Sequence, residues 1–307
     1  MFKLFRLFSF IVAVVLIFAT SSLAQSPVNE VIINYIEAIP QDSGEVTVLA
    51  YVSALDSEKG PNTGLTESNV DILEGGVPIA KEDMSIGIAT SPLNLILVLD
   101  SSKSLGTASG TIPIDTVRTE LINLVEKHLA DGDRLAVYSF DKMAFLSQDF
   151  TPDHNKAINN GIVGLSLADE DIACLYSAMM KAVDKSTELI SGRRIILVLT
   201  DSEDTGCQGH TSGGVISKAS QPAIGVPIYT LGFGSADASE LANIARQTNG
   251  VSYFADDIEN LGTTIKLMAQ QLSSQYQIEF PAQKPGSELS SGKFPKHPSR
   301  AWPTQRP

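Results

Sequence analysis

The sequence has few of the residues that most often mark enzyme and zinc sites. Its 307 residues include only 2 cysteines and 4 histidines. This cysteine content excludes a disulfide-rich scaffold and a cysteine-rich zinc site. None of the histidines lies in an H-E-x-x-H motif and no G-x-S-x-G motif is present, so neither a zinc protease nor an α/β-hydrolase is indicated. The sequence therefore predicts a protein that is not an enzyme.

Positive charge is scarce through most of the chain. Lysine and arginine number 22 against 35 aspartates and glutamates, which gives a formal net charge of -13. Both ends of the chain are net positive, so residues 25–280 are more acidic than the chain as a whole. The basic doublet of this region, Arg193 and Arg194, has no aromatic residues interleaved with it. Because an acidic surface repels phosphate backbones, no nucleic-acid partner is expected.

Long hydrophobic runs are missing except at the N-terminus. Lys3 and Arg6 precede an apolar run over residues 7–19, and small residues follow it up to Ala24. This order is typical of a secretory signal peptide. The run is also shorter than the roughly 20 residues that a membrane-spanning helix needs. We therefore predict a signal peptide over residues 1–24, no membrane span after its cleavage, and a secreted or periplasmic protein.

Strand-like segments occupy the first part of the mature chain. The segments 31–36, 46–52 and 70–73 are short and apolar, and glycine, proline and asparagine separate them. No helical period is visible between them. This pattern predicts a small β-sandwich-like domain over residues 25–90.

Beyond residue 92, compact apolar runs alternate with helical periodicity. The runs are 95–99, 135–140, 195–199 and 226–231. Such alternation predicts an α/β fold, a doubly wound and mostly parallel sheet with helices on both faces, over residues 91–280. Residues 281–307 are rich in proline, serine, glycine and lysine without periodicity, which predicts a disordered tail.

Polar side chains follow two of the predicted parallel strands. A D-x-S-x-S motif, Asp100 with Ser102 and Ser104, ends the first apolar run, and Asp201 follows a later one. The carboxyl ends of parallel strands share one edge of the sheet, where ligands bind at a switch in strand order. Two carboxylates and two hydroxyls suit a hard divalent cation with oxygen ligands. The alternative is an empty site in which the serines only cap the following helix.

These segments, in their order, resemble the von Willebrand factor A domain. The resemblance is carried by residues 95–104, 194–201, 226–234 and 241–250, and it covers about residues 93–275. It implies the Rossmann-like, doubly wound sheet expected above. Residues 64–76 also look like the β segment that precedes this domain in a group of exported bacterial proteins.

The resemblance also implies a particular set of metal ligands. The metal-ion-dependent adhesion site of this family uses the aspartate and both serines of D-x-S-x-S, a second aspartate, and a threonine from an intervening loop. Asp100, Ser102, Ser104 and Asp201 match the first four positions, whereas Ala173 stands at the threonine position. The cofactor implied is Mg²⁺, with Mn²⁺ or Ca²⁺ as alternatives, bound without that threonine hydroxyl.

A function follows from this resemblance. It implies a binding or adhesion module in which a carboxylate of a protein or another acidic ligand completes the coordination of the ion. Two alternatives stay open at this point. One is a metal-free scaffold or assembly domain with a degenerate site, and the other is a metal-dependent hydrolase.

The two cysteines fall in the loops of this site. Cys174 follows Ala173, and Cys207 lies beyond Asp201 in the loop after the predicted strand 195–199. Both are therefore expected at one edge of the sheet. An exported chain with two cysteines favours a Cys174–Cys207 disulfide, and the alternative is a pair of free thiols.

Overall fold

The computed structural model describes residues 12–13, 28–106, 114–189, 192–256 and 258–283. Apart from Val12 and Ala13, the predicted signal peptide lies outside these ranges, as does the predicted tail from residue 284 onward. Within the described ranges, no helix combines the length and the hydropathy needed to cross a membrane.

Strands and helices alternate along the greater part of the described chain. The strands are β1 (Val12–Ala13), β2 (Glu30–Pro40), β3 (Val46–Leu55), β4 (Leu73–Glu74), β5 (Val77–Pro78), β6 (Ser85–Ile88), β7 (Leu93–Asp100), β8 (Arg134–Phe140), β9 (Ala144–Thr151), β10 (Arg193–Thr200), β11 (Ile228–Phe233), β12 (Ser252–Ala255) and β13 (Tyr276–Pro281). The helices are α1 (Ile114–His128), α2 (His154–Ala157), α3 (Leu175–Ser186), α4 (Ser212–Ala219), α5 (Ala238–Gln247) and α6 (Ile258–Ser273). Short 3₁₀ turns cover Lys81–Asp83, Lys103–Gly106 and Cys207–Gly209, and a π-helical turn over Ile158–Val163 follows α2.

A six-stranded sheet confirms the predicted α/β fold. Its strand order is β12-β11-β10-β7-β8-β9, and all pairs are parallel except β8 with β9. Strand β7 is buried along its whole length. Leu97 packs in one core cluster with side chains of α1 and α6, whereas Val98 packs in a second cluster with side chains of α3, α4 and α5. Helices on both faces explain why this strand is a continuous apolar run.

The order of the strands reverses between β7 and β10. From β7 the chain passes through α1 to β8 on one side, whereas β10 pairs with β7 on the other side. The register places Leu99 opposite Leu199. Asp100 at the end of β7 therefore lies next to Thr200, and Asp201 follows directly. This junction is the kind of switch point at which α/β sheets bind ligands.

A second sheet lies in the N-terminal region. It is antiparallel with the order β2-β3-β13-β6, and β1, β4 and β5 form a further small sheet. Strand β13 pairs with both β3 and β6 although it follows the six-stranded sheet in sequence. The boundaries 25–90 and 91–280 stay a prediction, and β13 brings residues of the second range into a sheet with residues of the first.

Buried polar groups join the four-stranded antiparallel sheet to the six-stranded sheet. The Tyr229 hydroxyl lies 3.0 Å from Ser53 Oγ and accepts a hydrogen bond from Asn34 Nδ2 at 3.3 Å. Gln275 Nε2 donates to Asn34 Oδ1 at 2.7 Å. Tyr229 is close to the start of β11, so these contacts lie towards the amino ends of the parallel strands. The opposite edge of the sheet is where Asp100 and Asp201 lie.

The predicted disulfide between Cys174 and Cys207 is confirmed, with 5.2 Å between the two Cα atoms. It joins the residue before α3 to the turn that follows β10. Hydrogen bonds strengthen the same connection, since Thr205 N and Thr205 Oγ1 both donate to the Ala173 carbonyl, at 2.9 and 3.2 Å. The loops on the two sides of Asp201 are thus tied covalently and by hydrogen bonds.

Replacing both cysteines by serine (Cys174→Ser with Cys207→Ser) is expected to lower the free energy of unfolding. The sequence separation is 33, and opening a loop of that size restores chain entropy to the unfolded state that amounts to roughly 3 to 4 kcal/mol. Urea unfolding of the oxidised parent and of the variant measures the difference. The parent in a reductant serves as a control and should match the variant. A difference below about 1 kcal/mol would contradict a stabilising role for the disulfide.

Candidate functional site

Asp100 is held firmly at the end of β7. Its side chain is only 2% exposed. One carboxylate oxygen, Oδ1, accepts a hydrogen bond from Ser102 N at 2.9 Å. The other, Oδ2, accepts one from Thr200 Oγ1 at 2.6 Å. The carboxylate is therefore fixed from its own loop and from the neighbouring strand.

A chain of hydroxyls connects this loop to Asp201. Ser102 Oγ lies 2.9 Å from Ser104 Oγ, and Ser104 Oγ donates to Asp201 Oδ1 at 3.1 Å. The structure thus brings all four of the residues predicted from the sequence to one place. Their role as metal ligands stays a prediction.

Sequence reasoning missed two residues of this cluster, Thr200 and Ser202. Thr200 holds the Asp100 carboxylate, and Ser202 Oγ donates to Asp201 Oδ1 at 3.1 Å. Both flank Asp201 in sequence. The signal that could have found them is the run of hydroxyl residues around that aspartate at the end of an apolar strand.

Burial makes both carboxylates of the cluster costly to ionise. Burial, together with a smaller contribution from the charge of Asp201, raises the pKa of Asp100 to about 6, against the opposing effect of hydrogen bonds from Thr200 and Ser102. Burial also raises the pKa of Asp201, to which the charge of Asp171 contributes, against hydrogen bonds from Ser104 and Ser202. A positive charge between the two carboxylates would relieve this cost.

One oxygen of the cluster has no hydrogen-bond partner. Asp201 is only 1% exposed, and its Oδ2 makes no hydrogen bond. Buried polar atoms are nearly always paired, so an orphaned carboxylate oxygen fits the ligand set of a cation. The described residues hold no cluster of three or more His, Cys, Asp or Glu side chains suited to a metal. An ion here would therefore depend on hydroxyls as well as on the two carboxylates, which is an oxygen set that Mg²⁺, Mn²⁺ or Ca²⁺ can use.

Ala173 contributes no ligand from its side chain. It is 1% exposed, and its carbonyl is engaged by Thr205. The loop before it runs against the D-x-S-x-S loop, because Ala168 N donates to Ser101 O at 2.8 Å and Lys103 N donates to Glu170 O at 3.2 Å. This loop brings exposed acidic side chains close to the cluster.

An acidic cleft borders the cluster on the side of α3 and α5. Its lining includes Ser202 together with four acidic residues, Glu203, Asp204, Asp237 and Glu240. Two of these carboxylates have structural roles, because Asp204 accepts from Tyr176 N and Asp237 accepts from Glu240 N. The lining of the cleft is nevertheless acidic, so a cation there would favour the approach of an acidic molecule.

The raised pKa of Asp100 predicts a pH-dependent stability for the metal-free protein. The folded state binds the proton more tightly than the unfolded state, because the pKa of Asp100 is about 6 in the folded protein against 3.8 for an unperturbed aspartate. The free energy of unfolding should therefore fall as the pH rises through this window, by up to about 3 kcal/mol. Asp100→Asn should remove this loss and be more stable than the parent above pH 6.

Urea unfolding in a chelator from pH 4 to pH 7 tests this expectation. Asp115→Asn is the matched control, since Asp115 lies in the first turn of α1 and is exposed. Parallel curves for the parent and Asp100→Asn would show that Asp100 does not carry the pH dependence.

A comparison with known families identifies the part of the chain that forms the six-stranded sheet. The model of the von Willebrand factor type A domain matches residues 94–267, which is more than half of the chain. None of the curated proteins compared with the chain matches it.

Structures of a mussel protein share the fold. Proximal thread matrix protein 1 from the mussel byssus, in a structure whose metal-ion-dependent adhesion site motif holds zinc, has a TM-score of 0.55 at 16% identity, over 66% of this chain and 51% of the mussel chain. A second crystal form of that protein gives a TM-score of 0.54 at 16% identity, over the same 66% and 51%. BatB from Bacteroides thetaiotaomicron gives a TM-score of 0.49 at 17% identity, over 59% of this chain and 97% of BatB. The chain thus spans about half the length of the mussel protein it matches.

From the family match over residues 94–267 and the sheet described above, the chain belongs to the von Willebrand factor type A domain family.

Proposed function

We propose that this protein is a binding module without enzymatic activity that uses a divalent cation to recognise a carboxylate on a protein or another acidic ligand. The observation that carries the proposal is the orphaned Asp201 Oδ2, which is buried beside a second buried carboxylate. Hydrogen bonds reach only Oδ1 of this carboxylate, and a buried charge with an oxygen left unpaired is costly. A cation bound between Asp100 and Asp201 would offset that expense.

The residues of the cluster have distinct parts in this proposal. Asp100 and Asp201 supply the negative charge, and the hydroxyls of Ser102 and Ser104 supply neutral oxygens. When bound, Mg²⁺, or Mn²⁺ or Ca²⁺ in its place, offers a positive charge and an open position for an oxygen of the partner. The zinc in the adhesion-site motif of the mussel protein supports a divalent cation at this place in the fold.

The acidic residues around the cluster favour binding of the partner only when the ion is bound. Asp171 already raises the pKa of Asp201 through its charge, and Glu203 and Glu240 line the cleft beside the cluster. A carboxylate of the partner would be repelled by these groups in the absence of a cation. The disulfide between Cys174 and Cys207 supports the predicted secreted or periplasmic location, because disulfides persist in oxidising compartments.

Calorimetric titration with Mg²⁺ and Mn²⁺ tests the metal site. The parent is expected to bind one ion, and Asp100→Ala is expected to bind none, because the loop then has no charged ligand. Asp141→Ala is the matched control. Asp141 follows β8 at the same edge of the sheet, and its carboxylate accepts a hydrogen bond from Met143 N at 2.9 Å. Equal heats for the parent and Asp100→Ala would contradict the site assignment.

Beads that carry a glutamate-rich peptide test recognition of carboxylates, with a glutamine-rich peptide as the neutral control. The parent should be retained by the acidic beads in Mg²⁺ and released by a chelator, and Asp100→Ala should not be retained. Retention that persists in the chelator would favour the metal-free scaffold. Turnover of an ester or phosphate substrate that requires the ion would favour the hydrolase.

A further inference from the structure

Ser202 turns its side chain towards the D-x-S-x-S loop. Its Oγ lies 3.0 Å from Ser104 Oγ and 3.1 Å from Asp201 Oδ1. Ser104 Oγ is itself 3.1 Å from Asp201 Oδ1. The three oxygens therefore form a nearly equilateral triangle.

The size of this triangle matches one face of a coordination octahedron. An octahedral Mg²⁺ has ligands at about 2.1 Å, which places neighbouring ligands about 3.0 Å apart. The three oxygens are 3.0 to 3.1 Å apart. Ser102 Oγ, at 2.9 Å from Ser104 Oγ, adds a further contact of the same length.

Hydrogen bonding alone does not account for all three contacts of the triangle. With Asp201 ionised, only the hydroxyl protons of Ser104 and Ser202 can lie on its three edges, because a hydroxyl carries one proton. At least one edge then holds two oxygens close together without a proton between them. A cation over the triangle would attract all three oxygens, and its charge would also compensate the same carboxylate, whose Oδ2 has no hydrogen bond.

Two contacts with Thr200 hold the main chain of Ser202 beside the cluster. Ser202 N donates to Thr200 Oγ1 at 3.2 Å, and the same hydroxyl oxygen lies 3.0 Å from Ser202 O. Ser202 also lines the acidic cleft. Its hydroxyl thus lies between the clustered ligands and the cleft.

We infer that Ser202 Oγ is a further ligand of the proposed cation and supplies the hydroxyl that Ala173 cannot. The inference rests on the proposed function, since it assigns a residue to the same ion. It adds a neutral oxygen from the loop that follows β10, in place of one from the loop before α3.

Titration with Mn²⁺ of the parent and of Ser202→Ala tests the inference. The loss of one ligand is expected to weaken binding about tenfold, in the range found when groups that support a metal site are removed. Ser101→Ala is the matched control and should bind within about twofold of the parent. Ser101 lies in the same loop and is 3% exposed, but its hydroxyl donates to Phe140 O at 2.8 Å.

A second measurement separates a ligand from a residue that only supports the fold. The relaxation rate of water protons around bound Mn²⁺ should rise in Ser202→Ala at saturation, because a water enters the position that the hydroxyl left. Adding Ala173→Thr to Ser202→Ala should recover part of the lost affinity. Circular dichroism in a chelator checks that each variant is folded.

The outcomes distinguish this inference from the proposed function. If the parent binds Mn²⁺, Asp100→Ala does not, and Ser202→Ala matches the parent in both affinity and relaxation rate, the inference is wrong and the metal site stands. If the parent itself binds no Mn²⁺, the proposed function and the inference fail together.

Discussion

The burial of two carboxylates side by side is the constraint on which the account of this site depends. Asp100 and Asp201 are 2% and 1% exposed. Asp100 is the last residue of β7 and Asp201 directly follows β10, and these two strands lie in the centre of the six-stranded sheet. The fold offers them hydroxyl and main-chain donors but leaves Asp201 Oδ2 without a partner. Isolated buried charges either become neutral or are compensated. The raised pKa of Asp100 is the first response, and a bound cation would be the second.

The two edges of the sheet differ in the contacts that they make, and this difference allows two carboxylates to be buried side by side. Towards the amino ends of the strands, the hydroxyl of Tyr229 and the amide of Asn34 satisfy each other within the protein. At the carboxyl ends, the disulfide of Cys174 and Cys207 holds the loops that flank the cluster. Groups outside the cluster thus stabilise the fold. The fold can therefore tolerate buried carboxylates in the cluster whose hydrogen bonding is incomplete.

Much of the fold and part of the site could be predicted from the sequence. The apolar run of β7 indicates a strand buried on both faces, and the polar residues at the ends of β7 and β10 had to meet once the strands were parallel. Ser202 could not be found in the same way, because its contact with Ser104 depends on the register of two strands and on a side-chain direction. The place of β13 between β3 and β6 was also hidden, since an antiparallel pairing across such a separation leaves no local pattern.

The most direct test of the central claim is a crystal structure of the full chain with Mn²⁺, using the anomalous signal of the metal to locate it. The account predicts one strong peak between Asp100 and Asp201, close to Ser104 and Ser202. The absence of a peak between the two carboxylates at saturating Mn²⁺, with ordered density for both side chains, would contradict it.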